Sequence, residues 1–298
     1  MAFHLRAKTY ARELLGNLAV VTAENPTPEE LHAVFRARRA EAVTMPQGNL
    51  ALINTSWFYA APGEWELVWG AGGQWAAPAA GINGVAVKAT LADGVVLNGV
   101  PLDGESVAFG KGAETPTTIS FADGKTGSVI VNEEGIYGLR VWDSQSDDIQ
   151  NFGGIDTYDF NPDWVVQGRF LPIEGGKAVG VAHLKDEGNA REKTIPGDIV
   201  FTHDGVEYTI AAFVEGRALM LVFSDATSGS ETYSVGRFLL CAPAPDGSIT
   251  LDFNRAFLPP CAFSYNFNCP IPPEQNRFPF KVEAGEKNVL AKSGELLH

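Results

Sequence analysis

Hydrophobic residues follow a helical period only near the N-terminus of the chain. Leu31 and Val34 recur at the spacing that places side chains on one face of a helix. The segment 27–30 (TPEE) has the residue types of a helix start: a Thr N-cap, Pro at the first helical position and Glu three residues after the cap. The pattern predicts a helix that ends near Val43. An amphipathic stretch over residues 3–18 predicts an earlier helix.

From residue 49 onward the pattern changes to short apolar or alternating runs that are separated by glycine-containing turns. Asn-Gly and Asp-Gly pairs tolerate positive φ and are typical of hairpin turns. The pairs are Asn83-Gly84, Asp93-Gly94, Asn98-Gly99, Asp103-Gly104 and Asp123-Gly124. Their spacing predicts a compact antiparallel β unit.

The chain as a whole is predicted to be mostly β, with an antiparallel β-sandwich or barrel-like architecture and one or two N-terminal helices. We divide it into a helical segment (1–47), a small antiparallel β unit (48–135) and a larger β unit (136–298) that carries a Pro-rich C-terminal coil. Since no low-complexity linker separates these parts, a single domain stays open as the alternative.

Four tryptophans lie early in the small β unit, at Trp57, Trp65, Trp69 and Trp75. Large aromatic side chains in a small β domain usually belong to its core, and we expect that here. Stacking on a carbohydrate or a base is the alternative.

Acidic residues outnumber basic ones 36 to 22 among the 298 residues, which gives a formal net charge of -14. A field of that sign repels phosphate backbones and anionic lipids, so nucleic acid and membrane surfaces are not expected partners. No apolar run is long enough for a transmembrane helix, and charged residues interrupt the N-terminal stretch where a secretory signal would lie. We therefore expect a cytoplasmic protein. A homo-oligomer stays open.

Three apolar strands are predicted near the C-terminus, over residues 218–223, 235–241 and 248–254. Short connections favour antiparallel pairing of neighbours, which brings the end of the first strand, the start of the second and the end of the third to one edge. The polar residues at that edge are Asp225, Thr227, Arg237, Asp252 and Asn254. Arg237 can fork onto either carboxylate, which fits a binding site and a structural ion-pair lock equally well.

The segment 251–287 is rich in Pro, Cys and polar residues. Five prolines between residues 259 and 273 fix φ and remove backbone donors, which predicts a rigid coil beside the polar edge. Cys261 and Cys269 are separated by seven residues and lack the spacing of a zinc site. A buried structural role is favoured for them over a nucleophilic, redox or metal-binding one, and Cys241 is predicted to lie in the core.

Other chemistry-bearing motifs are absent from the sequence. It has no P-loop lysine motif, no dinucleotide-binding glycine fingerprint, no HExxH and no GxSxG. No cofactor and no metal ion is therefore expected.

Several runs of the sequence carry a resemblance to a known family. They are FSDATSGSETY at 223–233, GRFL at 236–239, LDFNRA at 251–256, PPCAF at 259–263, EAGEK at 283–287 and, earlier, YGLRV at 137–141. With them the chain resembles the bacterial domain-of-unknown-function family numbered 1684, over roughly residues 30 to 290. The resemblance implies a shared fold and shared motif placement, and it implies no particular reaction. Where members of the family carry a Gly-Trp-Leu turn after the first helix, this chain has Gly48-Asn49-Leu50.

These observations lead to the hypothesis of a protein that binds a small polar or anionic molecule at the polar edge. The predicted binding residues are Thr227, Arg237, Asn254, Arg255 and Cys261. If the protein is hydrolytic, Asp225 or Asp252 would act as the general acid or base. The alternative is a structural or protein-interaction module without catalysis, which docks a partner through exposed tryptophans of the small β unit. A metalloenzyme is the third hypothesis.

Overall fold

A computed structural model describes residues 26–186 and 190–298 of the protein. The helix predicted over residues 3–18 lies outside the described residues. Within the described part of the chain, no helix is both long and apolar enough to cross a bilayer.

The N-terminal helix α1 (Pro28–Thr44) confirms the predicted start signal. The hydroxyl of Thr27 accepts a hydrogen bond from the Glu30 backbone N–H at 3.2 Å, and the Glu30 carboxylate accepts one from the Thr27 backbone N–H at 2.8 Å. This reciprocal arrangement satisfies two backbone donors that have no partner inside the helix. Val34 and Val43 are buried, whereas Leu31, which the apolar spacing placed on the same face as Val34, is 43% exposed.

Ten strands between residues 52 and 142 form two antiparallel sheets. They are β1 (Leu52–Trp57), β2 (Glu66–Leu67), β3 (Gln74–Ala76), β4 (Val85–Ala89), β5 (Val96–Leu97), β6 (Val100–Pro101), β7 (Gly104–Ala108), β8 (Ile119–Ser120), β9 (Thr126–Val131) and β10 (Tyr137–Trp142). One sheet has the order β1-β10-β9-β8-β5-β6 and the other β2-β3-β4-β7. The Asn98-Gly99 turn confirms the hairpin signal, since both residues have positive φ, 51° and 80°.

Strand β10 pairs with β1 and β9, so the first sheet reaches past residue 135, where the sequence suggested a boundary. The division of the chain into three units stays a prediction. The tryptophans of this region differ in burial: Trp75 is fully buried, whereas Trp69 is 69% exposed. The core assignment is confirmed for Trp75 and wrong for Trp69, which lies outside the strands, after the two-residue strand β2.

The larger β region begins with a short helix, α2 (Asp147–Asn151). Its strands are β11 (Phe152–Thr157), β12 (Val165–Ala182), β13 (Ala190–His203), β14 (Val206–Glu215), β15 (Ala218–Phe223), β16 (Arg237–Cys241), β17 (Ser248–Asp252) and β18 (Glu286–Ala291). Six of them form an antiparallel sheet in the order β16-β15-β14-β13-β12-β17, and β11 pairs with β18. The prediction of a mostly β, barrel-like fold is confirmed.

The six-stranded sheet curls until its two end strands, β16 and β17, lie side by side. Phe238 and Phe257 exchange two backbone hydrogen bonds of 2.8 Å at this seam, so the barrel is nearly closed. Inside it packs an apolar core that contains Phe223, Leu251 and Phe253. A separate core, which includes Trp75, lies between the sheets of the N-terminal β region.

The predicted order of the last three strands is only half correct. β15 and β16 pair antiparallel as expected, with Phe223 opposite Arg237. β17 pairs with β12 instead of β16, and its last residue, Asp252, lies opposite Val165. Short connections favour sequential pairing, but closing the curled sheet brings a strand from more than 80 residues earlier alongside β17.

Candidate functional site

Arg237 begins strand β16 and is completely buried. One of its terminal nitrogens donates to the Asp225 carboxylate at 2.7 Å and to the Val282 carbonyl at 2.8 Å. The other donates to the carbonyl of Ala284. The guanidinium carbon also lies 5.3 Å from the centre of the Phe223 ring. The nitrogen that bonds Ala284 also donates to the Glu286 carbonyl at 3.4 Å, so the charge is held by one carboxylate, three carbonyl oxygens and an aromatic face.

Asp225 is buried and uses both of its carboxylate oxygens. Oδ2 accepts from Arg237, while Oδ1 accepts from the Thr227 backbone N–H at 2.8 Å, the Thr227 hydroxyl at 2.6 Å and the Val282 N–H at 3.2 Å. A 3.0 Å hydrogen bond joins the hydroxyls of Thr227 and Thr232. We call Asp225, Thr227 and Arg237 the buried lock.

The buried lock ties three parts of the chain together: the loop after β15, the start of β16 and the backbone of residues 282–284. A buried ion pair is stable only when further hydrogen bonds satisfy the atoms left over, and here they do so for both carboxylate oxygens of Asp225. Arg237 keeps one unpartnered nitrogen, Nε. A ligand, or a proton transfer to Asp225, would first have to break the bond to Arg237. The geometry is that of a structural lock.

A cavity of about 390 Å³ lies beside the buried lock. Its walls include Thr232, Tyr233, Tyr265, Asn288 and His298. The lining residues Ser230, Glu231 and Thr232 all donate backbone hydrogen bonds to the Thr227 carbonyl, and the Thr232 hydroxyl also bonds the Thr227 hydroxyl. The lock thus lies directly behind one wall of this cavity.

Asp252, Asn254 and Arg255 form a second group at the end of β17, apart from the buried lock. Asp252 accepts from the backbone and side-chain N–H groups of Asn254 at 3.2 and 3.1 Å. Asn254 bonds the backbone of Asn161 through two hydrogen bonds of 2.8 and 2.9 Å. Arg255 is exposed, with its guanidinium 5.2 Å from the Phe35 ring of α1. Among the described residues, no hydrogen bond or ion pair joins this group to Arg237.

Cys261 and Cys269 lie in one buried cluster, and both are free thiols. The backbone N–H of Cys261 donates to the Cys269 sulfur at 3.2 Å. Cys241 is also buried, as predicted, and burial raises the pKa of its thiol to about 11. Within the described part of the chain, no three His, Cys, Asp or Glu side chains are grouped to hold a metal ion.

A second cavity lies in the N-terminal β region and has a volume of about 870 Å³. We call it the Arg140 cavity. Its polar and aromatic lining residues are Gln47, Asn83, Phe109, Lys111, Ser128, Tyr137, Arg140 and Trp142. Arg140 and Lys111 are charged, and no Asp, Glu, His or Cys is among the described residues that line it.

Arg140 lies at the centre of β10, directly opposite Ser128 of β9, so their side chains share one face of the sheet. Its Nε is buried and has no hydrogen-bond partner within the described chain. None of the ion pairs formed by the described residues includes it. Its guanidinium carbon lies 5.0 Å from the Phe267 ring, and burial lowers the pKa of the guanidinium.

The aromatic residue beside Arg140 orients a hydroxyl on the same wall. Trp142 Nε1 donates to the Ser128 hydroxyl oxygen at 2.9 Å, which leaves the hydroxyl proton of Ser128 free to be donated. A cation and a hydroxyl donor therefore stand side by side on the cavity wall. Sequence reasoning missed this site, although one signal was available: an arginine inside the otherwise apolar run YGLRVW.

Comparison with known proteins places the larger β region in a family. Residues 150–287 match the family model described as "Protein of unknown function (DUF1684)". An uncharacterized protein of Haloarcula marismortui, solved by solution NMR, is 33% identical over 46% of this chain and 77% of its own, with a TM-score of 0.38. No curated protein matches the chain. The matched residues contain the buried lock and the thiol pair but not the Arg140 cavity, and by this match the chain belongs to the DUF1684 family.

Proposed function

We propose that this protein binds a small anionic molecule in the Arg140 cavity. The observation that carries the proposal is a half-buried guanidinium that lines a large cavity and has no counter-charge among the described residues. A charge removed from water without a partner is unfavourable, and an anionic ligand would supply the missing interaction. The sequence favoured the same class of ligand but a different location.

The size and lining of the cavity support a small organic anion. A volume of about 870 Å³ lies within the range of about 300–1,000 Å³ typical of sites for small molecules. Phe109, Tyr137 and Trp142 offer aromatic surface for an apolar part of the ligand, while Arg140 and Ser128 offer donors for its charged end.

The charge of the whole protein sharpens this selectivity. With a formal charge of -14, the protein repels large polyanions over most of its surface. Lys111 and Arg140 in the cavity wall act only at short range. A small anion can enter the cavity and interact with them, whereas a nucleic acid backbone cannot.

Binding without hydrolysis is the form of the proposal that the lining supports. General acid–base catalysis requires a carboxylate, imidazole or similar group within hydrogen-bonding reach of the ligand. The described lining has no carboxylate or imidazole and offers only the Tyr137 hydroxyl and the Lys111 amine, while the predicted catalytic residues Asp225 and Asp252 are engaged in the buried lock and in the turn after β17.

Phenyl phosphate combines an aromatic ring with a small anionic head and serves as the probe, with phenol as its uncharged counterpart. Isothermal titration should show binding of phenyl phosphate and much weaker binding of phenol. Arg140→Gln should lower the affinity about 10- to 100-fold, because a hydrogen bond to a charged group contributes about 1.5–3 kcal/mol. Arg217→Gln, which removes an exposed arginine in the β14–β15 turn, is the matched control and should leave the affinity unchanged. Equal affinity of the wild type and Arg140→Gln would sink the proposal.

A protein-interaction module is the second candidate, and exposed side chains next to β2 favour it. Tyr59, Leu67 and Trp69 are 69%, 82% and 69% exposed, which is unusual for large apolar residues close together in sequence. If this surface docks a second copy of the chain, sedimentation velocity should show concentration-dependent association that the double variant Leu67→Ser/Trp69→Ser removes. A monomer at all concentrations would count against self-association through this surface.

A further inference from the structure

The two thiols of the Pro-rich segment are held in place by their own backbones. Cys261 lies in a short 3-10 turn, and its carbonyl accepts a hydrogen bond from the Tyr233 hydroxyl at 3.2 Å. The carbonyl of Cys269 accepts from the Leu184 backbone N–H at 3.1 Å. These hydrogen bonds hold the backbone of each cysteine in place.

The sulfur of Cys269 lies against the backbone of Cys261. The Cys261 N–H donates to the Cys269 sulfur at 3.2 Å. The interaction between the two side chains lowers the pKa of Cys261 and raises the pKa of Cys269. Cys261 is therefore the sulfur that more readily becomes a thiolate, and Cys269 keeps its proton.

We infer that Cys261 and Cys269 are a redox pair that closes into an intramolecular disulfide when the protein meets a hydroperoxide. This inference does not rest on the anion site. A disulfide requires the sulfurs to approach to about 2.05 Å, and the 3.2 Å hydrogen bond from the Cys261 backbone holds the Cys269 sulfur next to Cys261. Tyr233, whose hydroxyl donates to the Cys261 carbonyl, and Ala262 line the cavity of about 390 Å³, so this open volume reaches the residues next to Cys261.

The chemistry balances with the hydroperoxide as the oxidant. The Cys261 thiolate attacks the peroxide oxygen, the O–O bond breaks, and the departing alkoxide or hydroxide takes up a proton, leaving a sulfenic acid on Cys261. The sulfur of Cys269 then attacks the Cys261 sulfur, the S–O bond breaks, and water leaves with the Cys269 proton. Two thiols and one hydroperoxide yield a disulfide, water, and a second water or an alcohol.

Cys241 provides an internal control. It is buried like the pair, but it lies in strand β16. In the described structure its thiol donates a hydrogen bond to the Leu219 carbonyl, at 3.7 Å, and bonds no other sulfur. Burial raises the pKa of its thiol, so it should stay reduced under the same treatment.

The test is a count of thiols in the full chain. The reduced, folded protein is treated with hydrogen peroxide, unfolded in the presence of N-ethylmaleimide, and analysed by intact mass and peptide mapping. We expect three labels before oxidation and a single label, on Cys241, afterwards, with a peptide that links Cys261 to Cys269. A dithiol reductant should restore both lost labels.

Variants distinguish the pair from other oxidation products. Cys261→Ser and Cys269→Ser should each abolish the linked peptide, while Cys241→Ser should leave it intact. The inference is overturned if peroxide-treated wild type keeps all three labels, or if the lost labels end as sulfinic acids or as disulfides between chains.

Discussion

Arg237 and Arg140 are both removed from bulk water, yet their surroundings are opposite. Arg237 is fully enclosed, with a carboxylate and backbone carbonyls around it. Arg140 is half-buried, faces a cavity of about 870 Å³, and has no hydrogen bond or counter-ion among the described residues. On our proposal, the compensated charge of Arg237 stabilises the fold, and the uncompensated charge of Arg140 takes part in ligand binding.

The same comparison separates the family region from the remainder of the chain. The buried lock lies within residues 150–287, which match the family model, and the Arg140 cavity lies before them. A structural role for the lock accords with its place among the motifs that the chain shares with the family. Ligand binding at Arg140 would belong to the N-terminal β region.

The largest change in the free energy of unfolding is expected when the ion pair between Asp225 and Arg237 is broken. Asp225→Asn should lower the free energy of unfolding by about 3–5 kcal/mol, because it leaves the Arg237 charge buried without its partner. Urea denaturation followed by circular dichroism measures this. Arg217→Gln is the control for loss of an exposed charge, with little change expected. A loss below about 1 kcal/mol for Asp225→Asn would show that the pair is not a lock.

A smaller change in the free energy of unfolding, of opposite sign, is expected when the charge of Arg140 is removed. Arg140→Met removes a partly desolvated cation while keeping the apolar stem, so it should raise the free energy of unfolding by about 1 kcal/mol in the absence of ligand. The same denaturation experiment applies. A marked loss of stability would mean that Arg140 contributes to the fold as Arg237 does, and the contrast between them would fail.

The smallest effect is expected at Lys111, the second cation of the cavity. Its side chain is exposed, so solvent screens its interaction with a ligand. Lys111→Gln should lower the affinity for phenyl phosphate only severalfold, in line with about 0.2–1 kcal/mol for an exposed ion pair. Added salt should reduce this contribution further. A loss as large as that of Arg140→Gln would move the centre of the site to the 110–112 loop.

Local signals in the sequence predicted much of the fold. The cap at Thr27, the positive-φ turn at Asn98-Gly99 and the pairing that brings Asp225 to Arg237 all depend on residues that are neighbours in sequence or are joined by short loops. The pairing of β17 with β16 was wrong because the hydrogen-bonded partner of β17, strand β12, lies far away in the sequence, and no local pattern encodes it.

The candidate site could not be predicted in the same way. Three facts together identify Arg140 as a site residue. It lies opposite Ser128, residues 109–113 line the same cavity, and no carboxylate is among the described lining residues. Each of these depends on contacts between separate strands and loops. The composition of the Pro- and Cys-bearing segment instead predicted a site beside it, where the structure has the buried lock.

The most direct test compares the two arginines in one spectrum. Side-chain Nε–Hε resonances of arginine are recorded by NMR while phenyl phosphate is added, and Arg140→Lys identifies the Arg140 signal by its loss. We expect the Arg140 resonance to shift and saturate with the ligand, while the Arg237 resonance stays in place. An Arg140 signal that does not move, or an Arg237 signal that moves in its stead, would contradict the assignment of binding to the uncompensated charge.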